Sequence, residues 1–184
     1  MTRGSTLPAH RLPHLSGRLA IPAQTRTSPV PLLHGFNTAS ADEARRVLLT
    51  CLRSPRWAGR LADHRPYPTM ESLLAASDEA AYDLTPEDLA EALAAETLPA
   101  LPDDAYGAAH MALGAAHSAY EARFGHAFVI CLDGLPPAEA LDHVLEGIRS
   151  RLANDPEEER VVAAEELRRL AKGRLVGVVR DAGT

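Results

Sequence analysis

Apolar side chains recur three and four positions apart through most of the chain, and each run opens on a residue suited to start a helix. Ser40-Ala41-Asp42-Glu43 reads as a capping box, followed by an apolar face of Ala44, Val47, Leu48 and Cys51. Ser54-Pro55 places an N-cap before a first-turn proline and leads to Trp57 and Leu61. Thr69 precedes Leu73, Leu74 and Ala80, and Thr85-Pro86-Glu87-Asp88 precedes Leu89 and Leu93. Asp103 or Asp104 is expected to start a long helix ending at Phe124, striped by Ala108, Met111, Ala115 and Ala119. Pro136-Pro137 starts another with Leu141, Val144, Leu145, Ile148 and Leu152. Asp155-Pro156-Glu157-Glu158 caps the last, carrying Val162, Leu167, Leu170 and Val178. The pattern predicts an all-α fold, a single compact bundle of about seven to eight helices with short connections and no internal repeat.

One stretch departs from this periodicity. The run through Tyr120 and Phe124 stops at Gly125, a residue suited to the left-handed conformation that ends helices. The apolar run from Ala127 to Leu132 then ends at the turn pair Asp133-Gly134. It is too short for an independent helix and too apolar for a surface loop, so it is expected between helices. Buried backbone outside a helix needs partners for its N–H and C=O groups. Phe128, Val129 and Ile130 are therefore candidate ligand contacts.

Composition agrees with helices, since aromatic residues make up only 4% of the 184 residues. No apolar run reaches the roughly 20 residues of a membrane span, and no signal-peptide pattern is visible. Cys51 and Cys131 stand apart among apolar neighbours, as reduced core thiols of a cytoplasmic protein do. Residues 1–35 hold five prolines and four arginines without an acid, the character of a disordered tail ahead of one domain at 36–184. The net charge of −6 conceals an asymmetry. Beyond Arg3, Arg11, Arg18 and Arg26 the chain carries 15 basic residues against 25 acids, a formal −10. Such a surface repels phosphate backbones and argues against nucleic acid as a partner. An anionic substrate would need a locally basic pocket inside this acidic shell.

Tyr120-Glu121-Ala122-Arg123-Phe124-Gly125-His126-Ala127-Phe128-Val129-Ile130-Cys131 resembles a motif of the 2-oxo-4-hydroxy-4-carboxy-5-ureidoimidazoline (OHCU) decarboxylases. Phe36-Asn37, Ser54-Pro55-Arg56-Trp57, Arg65-Pro66-Tyr67, Leu84-Thr85 with Asp88-Leu89, and Asn154-Asp155-Pro156 follow in the family's order, so the resemblance spans about residues 36–180. It implies an all-helical enzyme of urate breakdown, a cofactor-independent carboxy-lyase that yields S-allantoin from a small anionic heterocycle. It also implies a tendency to form homodimers.

Carried over residue by residue, the resemblance makes Arg174 of Lys172-Gly173-Arg174-Leu175 the substrate-clamping arginine. A surface ion pair is the ordinary fate of such a residue. Two family motifs are missing. Where a His-Pro-x-x-Gly motif is expected, Ala94-Ala95 is followed by Glu96-Thr97-Leu98-Pro99-Ala100, which puts Glu96 in the histidine's place. No Ser-x-x-Glu-Gln occurs between 97 and 119, an interval that also looks shortened. Glu96 is a candidate acid/base if buried, although a solvated acid at a helix end is the simpler expectation. His110 and His117, seven apart on the long helix, are too far separated to chelate one metal as a pair. His126 reads as structural, and no metal or cofactor motif is recognisable. Two expectations result: an OHCU decarboxylase, or a catalytically inactive homologue serving as a binding or regulatory module.

Overall fold

A computed structural model describes residues 31–98 and 107–181 of the chain, and all regular structure in these residues is helical. Eight helices follow one another: α1 (Pro31–Thr38), α2 (Ala41–Cys51), α3 (Pro55–Asp63), α4 (Met70–Tyr82), α5 (Pro86–Ala94), α6 (Gly107–Phe124), α7 (Pro137–Arg151) and α8 (Pro156–Asp181).

The starts follow the capping chemistry. Ser40, Ser54, Thr69 and Thr85 each accept a hydrogen bond from a backbone N–H in the first turn of the helix that follows. Asp155 Oδ1 does the same for the N–H groups of Glu157 and Glu158. Helix α1 begins at Pro31, inside the stretch that the sequence reading assigned to the tail. Leu33 and Phe36, three apart, give it a buried face, which is too short a repeat to stand out among prolines. The expected start of α6 at Asp103 or Asp104 lies outside the described residues.

Helix α8, about 39 Å long at 1.5 Å per residue, is the spine against which α1, α2 and α4 pack, while α2 pairs with α3 and α3 with α4. Its buried face is Glu159, Ala163, Leu167, Ala171, Leu175 and Val179, every fourth residue. Val162, Leu170 and Val178, expected inside, flank that stripe as half-buried residues. Alanine at 163 and 171 is small enough to let neighbouring backbones approach.

Two hydrophobic clusters result. The larger joins α1–α5 and α8 around Trp57, Leu48, Leu61 and Leu167. The smaller joins α6 and α7 around Tyr120, Phe128, Val144 and Ile148. The segment after Gly125 runs between them. Gly125 takes φ 78° and closes α6, and Gly134 takes φ 80° in the turn that follows the segment. Val129 packs into the larger cluster, whereas Phe128 and Ile130 pack into the smaller one. Side chains that alternate sides are the signature of extended backbone, and here both sides are interior. The burial expected from the apolar run is found, with the segment as a partition.

Candidate functional site

Helices α2, α5 and α8 enclose the region where Arg174 and Glu96 meet. After α5 ends at Ala94, the turn through Ala95 carries Glu96 inward, its N–H donating to Leu93 O at 3.1 Å. The Glu96 side chain is only 8% exposed. Arg174 reaches it from α8, with Nη1 donating to Oε1 and Nη2 to Oε2, both at 2.7 Å. Nη1 also donates to Cys51 O, the last carbonyl of α2, at 3.1 Å. That places a cation at a helix C-terminus, where the dipole favours it. The hydrogen bond to Glu96 is the largest reason the Arg174 guanidinium is held charged beyond its usual range. Burial pushes the neighbouring Cys51 thiol up, so it stays protonated.

The sequence favoured a solvated Glu96, and the structure corrects this. A turn directly after a helix can point in or out, and the partner that draws this carboxylate in lies 78 residues away.

Beside this pair opens a cavity of about 710 Å³, lined by ten residues that include Arg46, Arg53, Glu91, Glu96 and Arg174. Arg46, Leu49 and Thr50 lie on one face of α2, and Arg53 follows just past its C-cap. The volume suits a small ring compound. Three guanidiniums against two carboxylates make a locally basic pocket in an acidic chain. Sequence reasoning missed Arg46 and Arg53. Arg46 belongs to a second stripe on α2, offset from the buried Ala44, Leu48 and Cys51, and Arg53 follows on the turn beyond it; only the packing of α2 against α3 and α8 defines where they point.

Phe128, Val129 and Ile130 do not line this cavity. Their backbone partners are internal. Arg151 Nη1 donates to Val129 O at 2.6 Å, and Cys131 N–H donates to Glu166 Oε2 at 2.8 Å. Arg151 belongs to a buried network in which Glu159 Oε1 accepts from Tyr120 Oη and from Arg151 Nε and Nη2, while Asn154 Nδ2 donates to Glu159 Oε2. Burial and the Glu159 hydrogen bond push the Tyr120 phenol far above its ordinary value. Nothing in the sequence singled out Arg151 or Glu159, each of which looks like one more charged helix residue.

Among the described residues no histidine lines the Arg174 cavity. His117 Nε2 lies 3.3 Å from Glu121 Oε1, and its buried Nδ1 has no partner among the described residues. The His126 ring meets Tyr120 edge-on with centroids 5.5 Å apart. The His110 side chain lies outside what the structure describes. Among the described residues no three His, Cys, Asp or Glu groups converge as a metal site would require.

The sequence model of the OHCU decarboxylase family matches residues 37–100 and 100–176, about three quarters of the chain. The chain belongs to the OHCU decarboxylase family. The family match divides at residue 100, within the interval that looked shortened in the sequence. Residues that carried the resemblance in sequence make specific contacts. Asn37 Nδ2 donates to Tyr67 O and Tyr67 N–H donates back to Asn37 Oδ1, each at 2.9 Å, while Arg65 Nη1 donates to the carbonyls of Phe36 and Ala39.

Solved structures that resemble the fold include the following two. An (S)-allantoin synthase superposes with a TM-score of 0.63 at 20% identity, covering 79% of this chain and 53% of that one. An OHCU decarboxylase crystallised in the presence of (S)-allantoin superposes with a TM-score of 0.64 at 20% identity, covering 78% of this chain and 100% of that one. The chain thus spans about half the length of the first and all of the second. At this identity the likeness is one of fold. No match is found among curated protein sequences.

Proposed function

We propose that the chain is a cofactor-independent carboxy-lyase of purine and urate degradation, acting in the cytoplasm on OHCU to give S-allantoin. The observation that carries this reading is the pair Arg174–Glu96 at the wall of a basic, ring-sized cavity. The reaction breaks the bond between the ring carbon and its carboxylate. The carboxyl group leaves as CO2, its electron pair passes into the adjacent ring C=N bond, whose nitrogen takes up a proton, and transfer of the hydroxyl proton to one face of the ureido-bearing carbon leaves the ring carbonyl. Arg174 is the fixed cation for the developing negative charge. Glu96 is the proton-carrying group, taking the part assigned to a histidine in the family motif. Each Glu96 oxygen accepts one bond from Arg174 and keeps a further lone pair for that step.

A second reading is favoured by one specific observation: both Glu96 oxygens are already held by Arg174. A carboxylate fixed in this way is also what a catalytically inactive homologue would use to brace its helices, leaving a binding module. The deciding experiment supplies freshly generated OHCU and follows optically active allantoin by circular dichroism. A rate above buffer supports the enzyme. A rate equal to buffer refutes it and leaves the binding module.

A further inference from the structure

The pairing of charges in the Arg174 cavity determines which of them can receive a ligand. Five charged side chains line it: Arg46, Arg53, Glu91, Glu96 and Arg174. Arg174 and Glu96 neutralise each other through two 2.7 Å hydrogen bonds, and Arg174 Nη1 is engaged a second time by Cys51 O. A carboxylate arriving from solvent finds that guanidinium occupied. Arg46 and Arg53, on the α2 wall, are exposed and make no ion pair or side-chain hydrogen bond among the described residues. Glu91, from α5, is likewise unpaired among them. The cavity therefore keeps two guanidiniums and one carboxylate in a chain of net charge −6.

We propose that Arg46 and Arg53, and not Arg174, are the residues that recognise the ligand's carboxylate. A guanidinium offers planar, paired N–H donors that match a carboxylate. Two like charges on one wall of a cavity gain from an anion placed between them. Glu91 repels a second anionic group and accepts N–H donors, so the favoured ligand is a small ring with a single carboxylate. The proposal rests on reading the cavity as the ligand site. It assigns recognition to the α2 wall and leaves chemistry to the Arg174–Glu96 pair.

Titration calorimetry of the full chain with hydantoin-5-acetate, a ureide ring bearing one carboxylate, tests this against the uncharged amide of the same compound. The acid should bind, and the amide should bind about tenfold more weakly. Arg46→Gln and Arg53→Gln should each weaken the acid about fivefold, the scale of one exposed charged contact, and leave the amide and the thermal midpoint unchanged. Failure of the native chain to bind the acid would overturn the proposal. So would binding indifferent to both substitutions, or lost only in Arg174→Gln. Binding that needs Arg46 and Arg53 without turnover of OHCU would remove the decarboxylase reading alone. Turnover of OHCU with binding indifferent to both arginines would remove this proposal alone.

Discussion

Replacing Glu159 by leucine removes the acceptor at the centre of the buried network and leaves its donors in place. Tyr120 Oη, Arg151 Nε and Asn154 Nδ2 would lose their acceptor at once, and Arg151 Nη2 would keep only Tyr120 Oη. Arg151 is 9% exposed in its side chain and Glu159 1%, so water cannot replace what is lost. Breaking one member of such a pair costs about 3–5 kcal/mol, a large share of the 5–15 kcal/mol typical of a domain. In equilibrium urea unfolding, with a slope of about 2 kcal/mol per molar, the midpoint should fall by about 2 M. The double variant Arg151→Met with Glu159→Leu should lose less, because no buried charge remains. Its main deficit is the Val129 carbonyl, now without the Arg151 donor, at about 1–3 kcal/mol. If the leucine variant does not fold, Glu159→Gln keeps the shape and removes the charge, and should still be clearly destabilised. A single-variant loss below about 1 kcal/mol, or a double variant worse than Glu159→Leu, would refute the claim that this network braces the partition segment.

At the candidate site, Glu96→Gln and Arg174→Ala should each lower any OHCU turnover by about 10²-fold or more, measured as the rate of optically active allantoin. Arg174→Ala should also cost about 1–2 kcal/mol in thermal or urea unfolding, because the buried Glu96 loses its partner. Gly59→Ala, in α3, should stabilise by about 0.5–1 kcal/mol because an added methyl meets nothing within 4 Å. Gly147→Ala should gain less, since its methyl would lie 3.0 Å from the Phe128 ring, and comparison of the two melting temperatures checks this. Burial, as the largest cause, pushes the phenols of both Tyr67 and Tyr120 above their ordinary value of 10. The folded chain favours the neutral ring, so this contribution is complete below about pH 10 and declines as pH rises through the folded values. Ultraviolet titration should then show tyrosinate amplitude missing near pH 10 that appears only on alkaline unfolding.

The sequence carried most of the fold because caps are local. Ser40, Ser54, Thr69, Thr85 and Asp155 each act on backbone within three residues, so their roles can be read without knowing the partners. The apolar run after Gly125 was equally legible, since its burial follows from its own length and polarity. Its chemical role was not. Whether Val129 O faces a ligand or a guanidinium depends on Arg151, 22 residues away and indistinguishable in sequence from Arg149. The same limit governed Glu96. Its proximity to Arg174 joins the turn after α5 to the C-terminal third of α8, and no spacing rule reaches across 78 residues. Arg46 and Arg53 stayed hidden for a related reason: a polar stripe on a helix reads as a solvated face until neighbouring helices turn it into a wall.

The chain has a single tryptophan, Trp57, wholly buried in the larger cluster with Nε1 donating to Ser77 O at 3.1 Å. Tyr120, with Phe124 and Phe128 around it, lies in the smaller cluster on the far side of the partition. Emission from the indole therefore reports on one half of the interior, and in a Tyr67→Phe variant the near-ultraviolet dichroism of buried tyrosine among the described residues comes from the other. Melting curves from the two signals that superimpose would mean that the strip of backbone between them couples both halves into one cooperative unit.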